Sequence, residues 1–385
     1  MLNFDQIHSC YGCGLCAVVC PENIISIDLS AEGFYVPAIL NEDKCTHCDL
    51  CEKVCSYLDG DLSQHPLAIQ GYVVYSKNTQ TKKTCSSGGV GFEIAKLLIE
   101  KGYKACGVKY SNTENRAEHF VADTVEDFEK SKGSKYLQSY TVDGFKKLSD
   151  EDKWVVFGTP CQIDSLRRWI KFKKTEENYV LVDFFCHGVP SYHLWNSYLT
   201  FNKNTHNLQR VDNVKFRDKR YGDGLRSYTM IIESEKKEIA STLQNNDLFY
   251  RLFLGDYCLN AACYDKCKFK NQKSSADIRI GDLWSKAYQK DDEGFSAVFA
   301  NTKKGTNIIN ELKNSCVIKK EPLDVVSEGQ MRQTLKMPPI RTKVLKDLSM
   351  NKSLTYICFY TKVLRKIKQL RSFMLGKIKN LIKRG

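Results

Sequence analysis

The chain has no apolar stretch approaching the roughly 18–20 residues that cross a bilayer and no basic segment followed by an apolar one in its opening MLNFDQIHSC. A membrane-spanning helix is therefore excluded, and no secretion signal is visible. The motifs of common hydrolases and kinases are also missing: there is no HExxH zinc helix, no Walker loop and no recognisable Ser/His/Asp set. Acidic residues are absent from Leu348 to Gly385, where ten Lys or Arg residues fall, which leaves +3 of the net charge of +13 for the first 347 residues. A near-balanced body argues against an enzyme of nucleic acids with a broad basic face. With this composition, 385 residues suffice for two or three domains with a buried core.

Cysteine, by contrast, is abundant. Seventeen cysteines without a secretion signal point to a reducing compartment, expected to be the cytoplasm, and to metal binding in place of disulfides. Eight of them form two matching runs: Cys10, Cys13, Cys16 and Cys20, then Cys45, Cys48, Cys51 and Cys55, each 35 positions after its counterpart. This is the spacing of a bacterial two-cluster ferredoxin, in which three close cysteines hold one [4Fe-4S] cube and the fourth ligates the other. The expected sets are Cys10, Cys13, Cys16 and Cys55, and Cys45, Cys48, Cys51 and Cys20. Zinc sites more often use two separated CxxC pairs, and the tandem third cysteine disfavours them. Pro21 follows the first run, but Ser56 stands where a second proline is expected.

Ile24 to Asp28 and Gly33 to Val36 read as two strands around a turn, separating the halves of the module. Near Asp59-Gly60-Asp61 polarity rises and a first boundary falls. Beyond it the pattern alternates between strand and helix. Ile69 to Tyr75 and Ala105 to Tyr110 read as strands, and Gly91 to Glu100 as a helix. Trp154 to Phe157 and Tyr179 to Phe185 are continuous apolar runs, each feeding a helical stretch, which predicts a mixed, mainly parallel sheet covered on both faces. The fold class is α/β, α+β overall. The expected parts are a ferredoxin-type domain over 1–62, two body segments over 66–148 and 149–347, and a basic tail over 348–385.

Five segments of the body, in order, resemble the coenzyme F420 hydrogenase/dehydrogenase beta subunits and their bacterial relatives. They are Cys85-Ser86-Ser87-Gly88-Gly89, Gly133 to Ser139, Gly158-Thr159-Pro160-Cys161-Gln162, Asp183 to Ser191, and Ala276 to Trp284. The resemblance, ferredoxin module included, covers about residues 1 to 347. It implies a flavin-dependent iron–sulfur oxidoreductase with FAD as well as clusters. Ser86, Ser87, Gly88 and Gly89 before a helix suit a pyrophosphate. Ser134, Lys135, Tyr136 and Gln138 offer hydrogen bonds, and Lys135 a charge to neutralise phosphate or steady a reduced flavin. Gly158, Thr159, Pro160, Gly281 and Asp282 complete the implied cofactor contacts. His187 is placed for proton transfer or for tuning a cluster.

A third [4Fe-4S] cube is expected from Cys161, Cys186, Cys263 and Cys267. The family shows CxxC where this chain has Cys263 and Cys267 in CxxxC, so Cys258 stays open as an alternative. Cys85, Cys106, Cys316 and Cys358 read as ordinary cysteines. The expected function is electron exchange between a ferredoxin-like one-electron carrier and a two-electron partner, either a small-molecule or lipid-linked substrate or a deazaflavin; the alternative is a relay subunit of a larger hydrogenase- or formate dehydrogenase-type complex. An oligomer is compatible with either. In the tail, Val363, Ile367, Leu370, Met374, Ile378 and Leu381 share one helical face among basic residues, a pattern suited to an anionic membrane surface or a partner.

Overall fold

The computed structural model describes residues 9–66, 69–221, 228–235, 237–265, 267–288, 294–331 and 333–382, without the side chains of 368 and 371–382. The opening MLNFDQIH, the predicted apolar positions Met374, Ile378 and Leu381, and the basic positions Lys368, Arg371, Lys377, Lys379 and Lys383 lie outside the described side chains.

The described strands are β1 (Ile25–Leu29), β2 (Tyr35–Ile39), β3 (Gln70–Ser76), β4 (Lys104–Ser111), β5 (Arg116–Ala122), β6 (Trp154–Gly158), β7 (Tyr179–Phe184), β8 (Asn213–Lys215), β9 (Thr229–Ser234), β10 (Lys237–Thr242), β11 (Ile278–Asp282), β12 (Ser296–Ala300) and β13 (Cys316–Lys320). β1 and β2 form the antiparallel ribbon of the cysteine-rich module. A three-stranded sheet runs β10-β9-β8, and the main sheet runs β13-β3-β12-β11-β7-β6-β4-β5. Its centre, β4-β6-β7-β11, is parallel, with antiparallel pairs on both flanks. β6 and β7 are the continuous apolar runs, and all of β6 is buried, as a strand covered on both faces must be.

The helix after β6, Pro160–Lys173, starts where Pro at its first position costs no hydrogen bond and where Gln162 Oε1 accepts from the Thr159 N–H at 2.9 Å. β3, from the first predicted body segment, sits between β12 and β13 of the second, so both segments share one sheet. β5, β10 and β13 answer to no strand named from the sequence; β13 is mostly exposed at the sheet edge and lacks the apolar run that marks a buried strand.

The cysteine-rich module is embedded in the body. Ile25, Ile27, Phe34 and Tyr35 share a core with Trp195, Tyr198 and Phe249. Ser56, in the place of the expected proline, explains part of this seating. Its N–H donates to Ser165 Oγ at 3.2 Å and its hydroxyl to Asp164 Oδ2 at 2.6 Å, both on the Pro160–Lys173 helix. Proline could donate neither bond.

Candidate functional site

The first cysteine set forms because two glycines let the chain curl. Gly12 and Gly14 take φ of 65° and 76°, and a Cβ on Gly12 would meet Gln138 Nε2 at 2.0 Å and Tyr35 O at 2.4 Å. Cys10, Cys13, Cys16 and Cys55 gather here. Burial raises the pKa values of the first three thiols, Cys13 to about 11, and mutual repulsion among the four sulfurs adds to it. Cys20, Cys45, Cys48 and Cys51 line a separate hollow with His47 and Pro21. Cys48 is exposed there, whereas Cys13 is buried.

Cys161, Cys186, Cys263 and Cys267 converge at the carboxyl ends of β6 and β7, the usual place for a ligand in a parallel sheet. Burial raises the pKa values of Cys161, Cys186 and Cys263, Cys263 to about 12. Cys186 and Cys267 both act on Cys263, and Cys186, Cys13 and Cys263 act on Cys161. Cys161 and Cys267 pack with Tyr11 and Phe269. Cys258 is fully buried in another cluster, beside Cys358 and Arg341. Cys267 thus stands with Cys186 and Cys263, and Cys258 with Cys358. Buried neutral thiols of this kind become thiolates when iron takes the place of the proton.

Beside this third set opens a cleft of about 940 Å3. Ser86, Ser87, Gly89, Ser134, Lys135, Tyr136, Gly158, Thr159, Cys186, His187, Gly281 and Asp282 all line it. Gly89, at φ 85°, ends the small-residue loop and opens the Val90–Glu100 helix, so helix amides face the cleft. Ser86 Oγ accepts from Ser134 N at 2.7 Å, fastening the two polar loops together. Gly281 is obligatory for packing, since a Cβ would meet Phe185 at 2.6 Å. The far wall is aromatic: Tyr136 and Phe253 lie 5.4 Å apart, and Tyr228 stacks on Trp284 at 6.2 Å and 9°. Size, aromatic wall and helix end suit a ring system joined to phosphate.

Several predicted residues have other tasks. Gln138 is not at the cleft: its Oε1 accepts from Tyr35 N at 2.7 Å and its Nε2 donates to Tyr11 O at 3.1 Å, so its amide is spent seating the cysteine-rich module. Pro160 and Gly88 do not line the cleft either. Pro160 opens its helix, and Gly88 lies so close to β3 and β12 that a Cβ would meet Val74 O at 2.6 Å. Lys135 turns its amine to the carbonyls of Lys130, Ser131, Lys132 and Gly133, so it braces its own loop. Asp282 is paired with the buried Arg217. His187 Nε2 lies 2.8 Å from Asp256 Oδ1, at ion-pair distance but without hydrogen-bond geometry. Cys85 lines the cleft, and Cys106, Cys316 and Cys358 are buried.

Sequence reasoning missed Arg217, Lys219, Tyr228, Lys270 and Asp256. Arg217 lies 5.0 Å from the Tyr228 ring, Lys219 Nζ donates to Ser87 O at 2.6 Å, and Lys270 Nζ donates to the carbonyls of Cys186 and His187. The run Lys215 to Arg220, four basic residues in six, was the available signal for the first two.

Residues 151–326 match the family described as the C terminus of the coenzyme F420 hydrogenase/dehydrogenase beta subunits, and residues 9–57 match the 4Fe-4S dicluster domain. A coenzyme F420-dependent sulfite reductase of Methanocaldococcus jannaschii is 24% identical over 372 residues, covering 91% of this chain and 52% of that protein. The chain thus spans about half the length of the curated relative it matches. A chain of the F420-reducing [NiFe] hydrogenase complex of Methanosarcina barkeri aligns with TM-score 0.48 and 18% identity, over 76% of this chain and 91% of that one.

Proposed function

Because the chain joins a 4Fe-4S dicluster domain to a C-terminal domain of the coenzyme F420 hydrogenase/dehydrogenase beta-subunit family, we propose that it is an iron–sulfur flavoprotein oxidoreductase passing electrons between a one-electron carrier and a two-electron partner. Cys20, Cys45, Cys48 and Cys51 hold an outer cube, Cys10, Cys13, Cys16 and Cys55 an inner one, and Cys161, Cys186, Cys263 and Cys267 a third. FAD in the cleft would supply the conversion between single electrons and hydride chemistry that cubes lack. The two-electron partner is a deazaflavin such as coenzyme F420 or an organic substrate.

The observation that carries this reading is the nearness of the inner and third cysteine sets to each other and to the cleft. Cys13 and Cys186 both lie close enough to Cys161 to raise its pKa, and Cys186 lines the cleft. The remaining residues bind and orient. Amides after Gly89 favour an anion, with the charge of the loop-bound Lys135 nearby, the Tyr136–Tyr228–Trp284 wall receives a flat ring, and His187 stands at the cleft beside Asp256. A relay subunit within a larger complex is the second reading, and a stoichiometric partner with its own reaction centre, retained on purification, would favour it.

Anaerobic purification with iron, sulfide and flavin quantified together tests the reading. About twelve irons and one FAD per chain are expected for three cubes. Cys161→Ser should fall to about eight irons, while Cys258→Ser stays at about twelve. Protein carrying iron but no flavin would overturn the catalytic part.

The tail adds a proposal about location, a cytoplasmic protein resting on the inner membrane face. Among the described residues no helix is long and apolar enough to cross a membrane. The Leu354–Ile382 helix is anchored by Leu354, Ile357 and Cys358, whereas Val363, Leu364, Ile367 and Leu370 are exposed beside basic residues, a composition suited to an anionic lipid surface.

A further inference from the structure

We propose that Ser165 raises the reduction potential of the inner cube by donating a hydrogen bond to the Cys13 sulfur. Ser165 is fully buried on the second turn of the Pro160–Lys173 helix. Its Oγ lies 3.2 Å from Cys13 Sγ, across 152 residues of sequence. The same oxygen accepts from the Ser56 N–H at 3.2 Å.

Direction follows from proton counting. A ligating cysteine is a thiolate and has no proton to give, so the proton between sulfur and oxygen belongs to the serine. The Ser56 N–H occupies a lone pair of Oγ, and the single hydroxyl proton is left for sulfur. Ser56 directly follows Cys55, so one hydroxyl reads two ligand strands of the same cube. Adding an electron makes that cube more negative, and a donor aimed at its sulfur stabilises the reduced state more than the oxidised one. No bond is made or broken and no proton leaves: one electron enters from an external reductant and the hydrogen bond strengthens. The Cys13–Ser165 contact is itself buried, so solvent dilutes this contribution little.

The helix that carries Ser165 also carries Cys161. Raising the inner cube therefore draws an electron inward from the exposed Cys48 side and holds it next to the third cysteine set. Thr159 Oγ1, 3.2 Å from Cys161 Sγ at the cap of that helix, is a purely local contact between near neighbours. The bond from Ser165 exists only because the module is seated on the body.

The inference rests on the dicluster part of the proposed function and on nothing at the cleft. The test uses the full chain, loaded anaerobically, with dithionite as reductant and paramagnetic resonance as readout. Ser165→Ala should lower one midpoint by about tenfold in the reduction equilibrium, about 59 mV for one electron, and leave the other midpoints unmoved. Ser165→Thr, which keeps the hydroxyl, should restore it. Ser56→Ala keeps its N–H, loses only the bond to Asp164, and should leave the midpoint in place. In deuterated buffer the reduced wild-type cube should show a strongly coupled exchangeable deuteron that Ser165→Ala lacks. Full iron content with unchanged midpoints in Ser165→Ala overturns the inference. If that variant loses its cube, the wild-type deuteron decides alone, and its absence is equally fatal. Wild-type protein without iron would instead remove the dicluster reading itself.

Discussion

At the scale of single residues, the positions that depart from expectation carry the most physical content. Ser56 replaces a proline and gains two hydrogen bonds that a proline cannot make. Lys135 is held by four carbonyls at 2.8–3.2 Å while its side chain lines the cleft. Burial lowers its pKa to about 7, with the Cys85 thiol acting in the opposite sense. A bound anion restores the proton, so affinity for an anionic ligand is full below pH 7 and declines as pH rises through it. Flavin affinity, measured by fluorescence on the apo-flavin protein, should therefore weaken by at most about tenfold per pH unit above 7. Lys135→Met should bind more weakly and show a flat profile between pH 6 and 9, values chosen to bracket about 7. An equally steep profile in that variant would show that another group titrates. The same shift bears on folding. The unfolded lysine keeps its proton up to about 10.4, so the cost of burying a charged Lys135 is present below pH 7 and is relieved as pH rises from there.

At the scale of elements, the seam between β7 and β11 positions the third cysteine set. Arg279 and Asp183 face each other in register across the parallel pair. The guanidinium makes bonds of 2.8 and 2.7 Å to the carboxylate, both groups being fully buried. Its remaining donors reach the carbonyls of Phe269, Asn271 and Lys273, in the loop directly after Cys267. Burial raises the Asp183 pKa even with Arg279 alongside. Arg279→Met should thus strand a buried carboxylate and cost about 3–5 kcal/mol. The pair Asp183→Leu with Arg279→Met should cost clearly less than the single change, because no charge is left unpaired. Anaerobic urea unfolding followed by circular dichroism measures both, and equal losses would mean that the loop carbonyls, not the carboxylate, dominate.

At the scale of the whole molecule, the small cluster module and the body form one packed unit, and the last helix divides into an anchored and an exposed part. Leu354, Ile357 and Cys358 belong to the core shared with the module. Removing residues 354–385 should therefore lower the midpoint of thermal unfolding. Removing only 363–385 should leave it unchanged but abolish co-sedimentation with phosphatidylglycerol vesicles. Undiminished vesicle binding after the shorter truncation would end the membrane proposal. If both truncations unfold alike, the exposed part supports the fold instead.

The sequence by itself determined whatever depends on neighbours along the chain. Two cysteine runs of fixed spacing, apolar strands at β6 and β7, and a Ser-Gly loop before a helix are local patterns, and each was readable because its chemistry is complete within about ten residues. The family resemblance rested on such segments and brought most of the cleft with it. Only the tertiary structure decided what depends on chain returning from a distance. Cys267 and Cys258 are equivalent in a list of residues, and they separate only because the chain after Asn260 brings Cys267 toward Cys186 while Cys258, before it, is buried beside Cys358. Gln138 resembles a cofactor ligand until Tyr35 and Tyr11 take both ends of its amide. β3 gives no hint that it will be inserted between β12 and β13, more than two hundred residues away. Ser165 carries no motif at all, and only the docking of the module onto the Pro160–Lys173 helix brings its hydroxyl to the Cys13 sulfur.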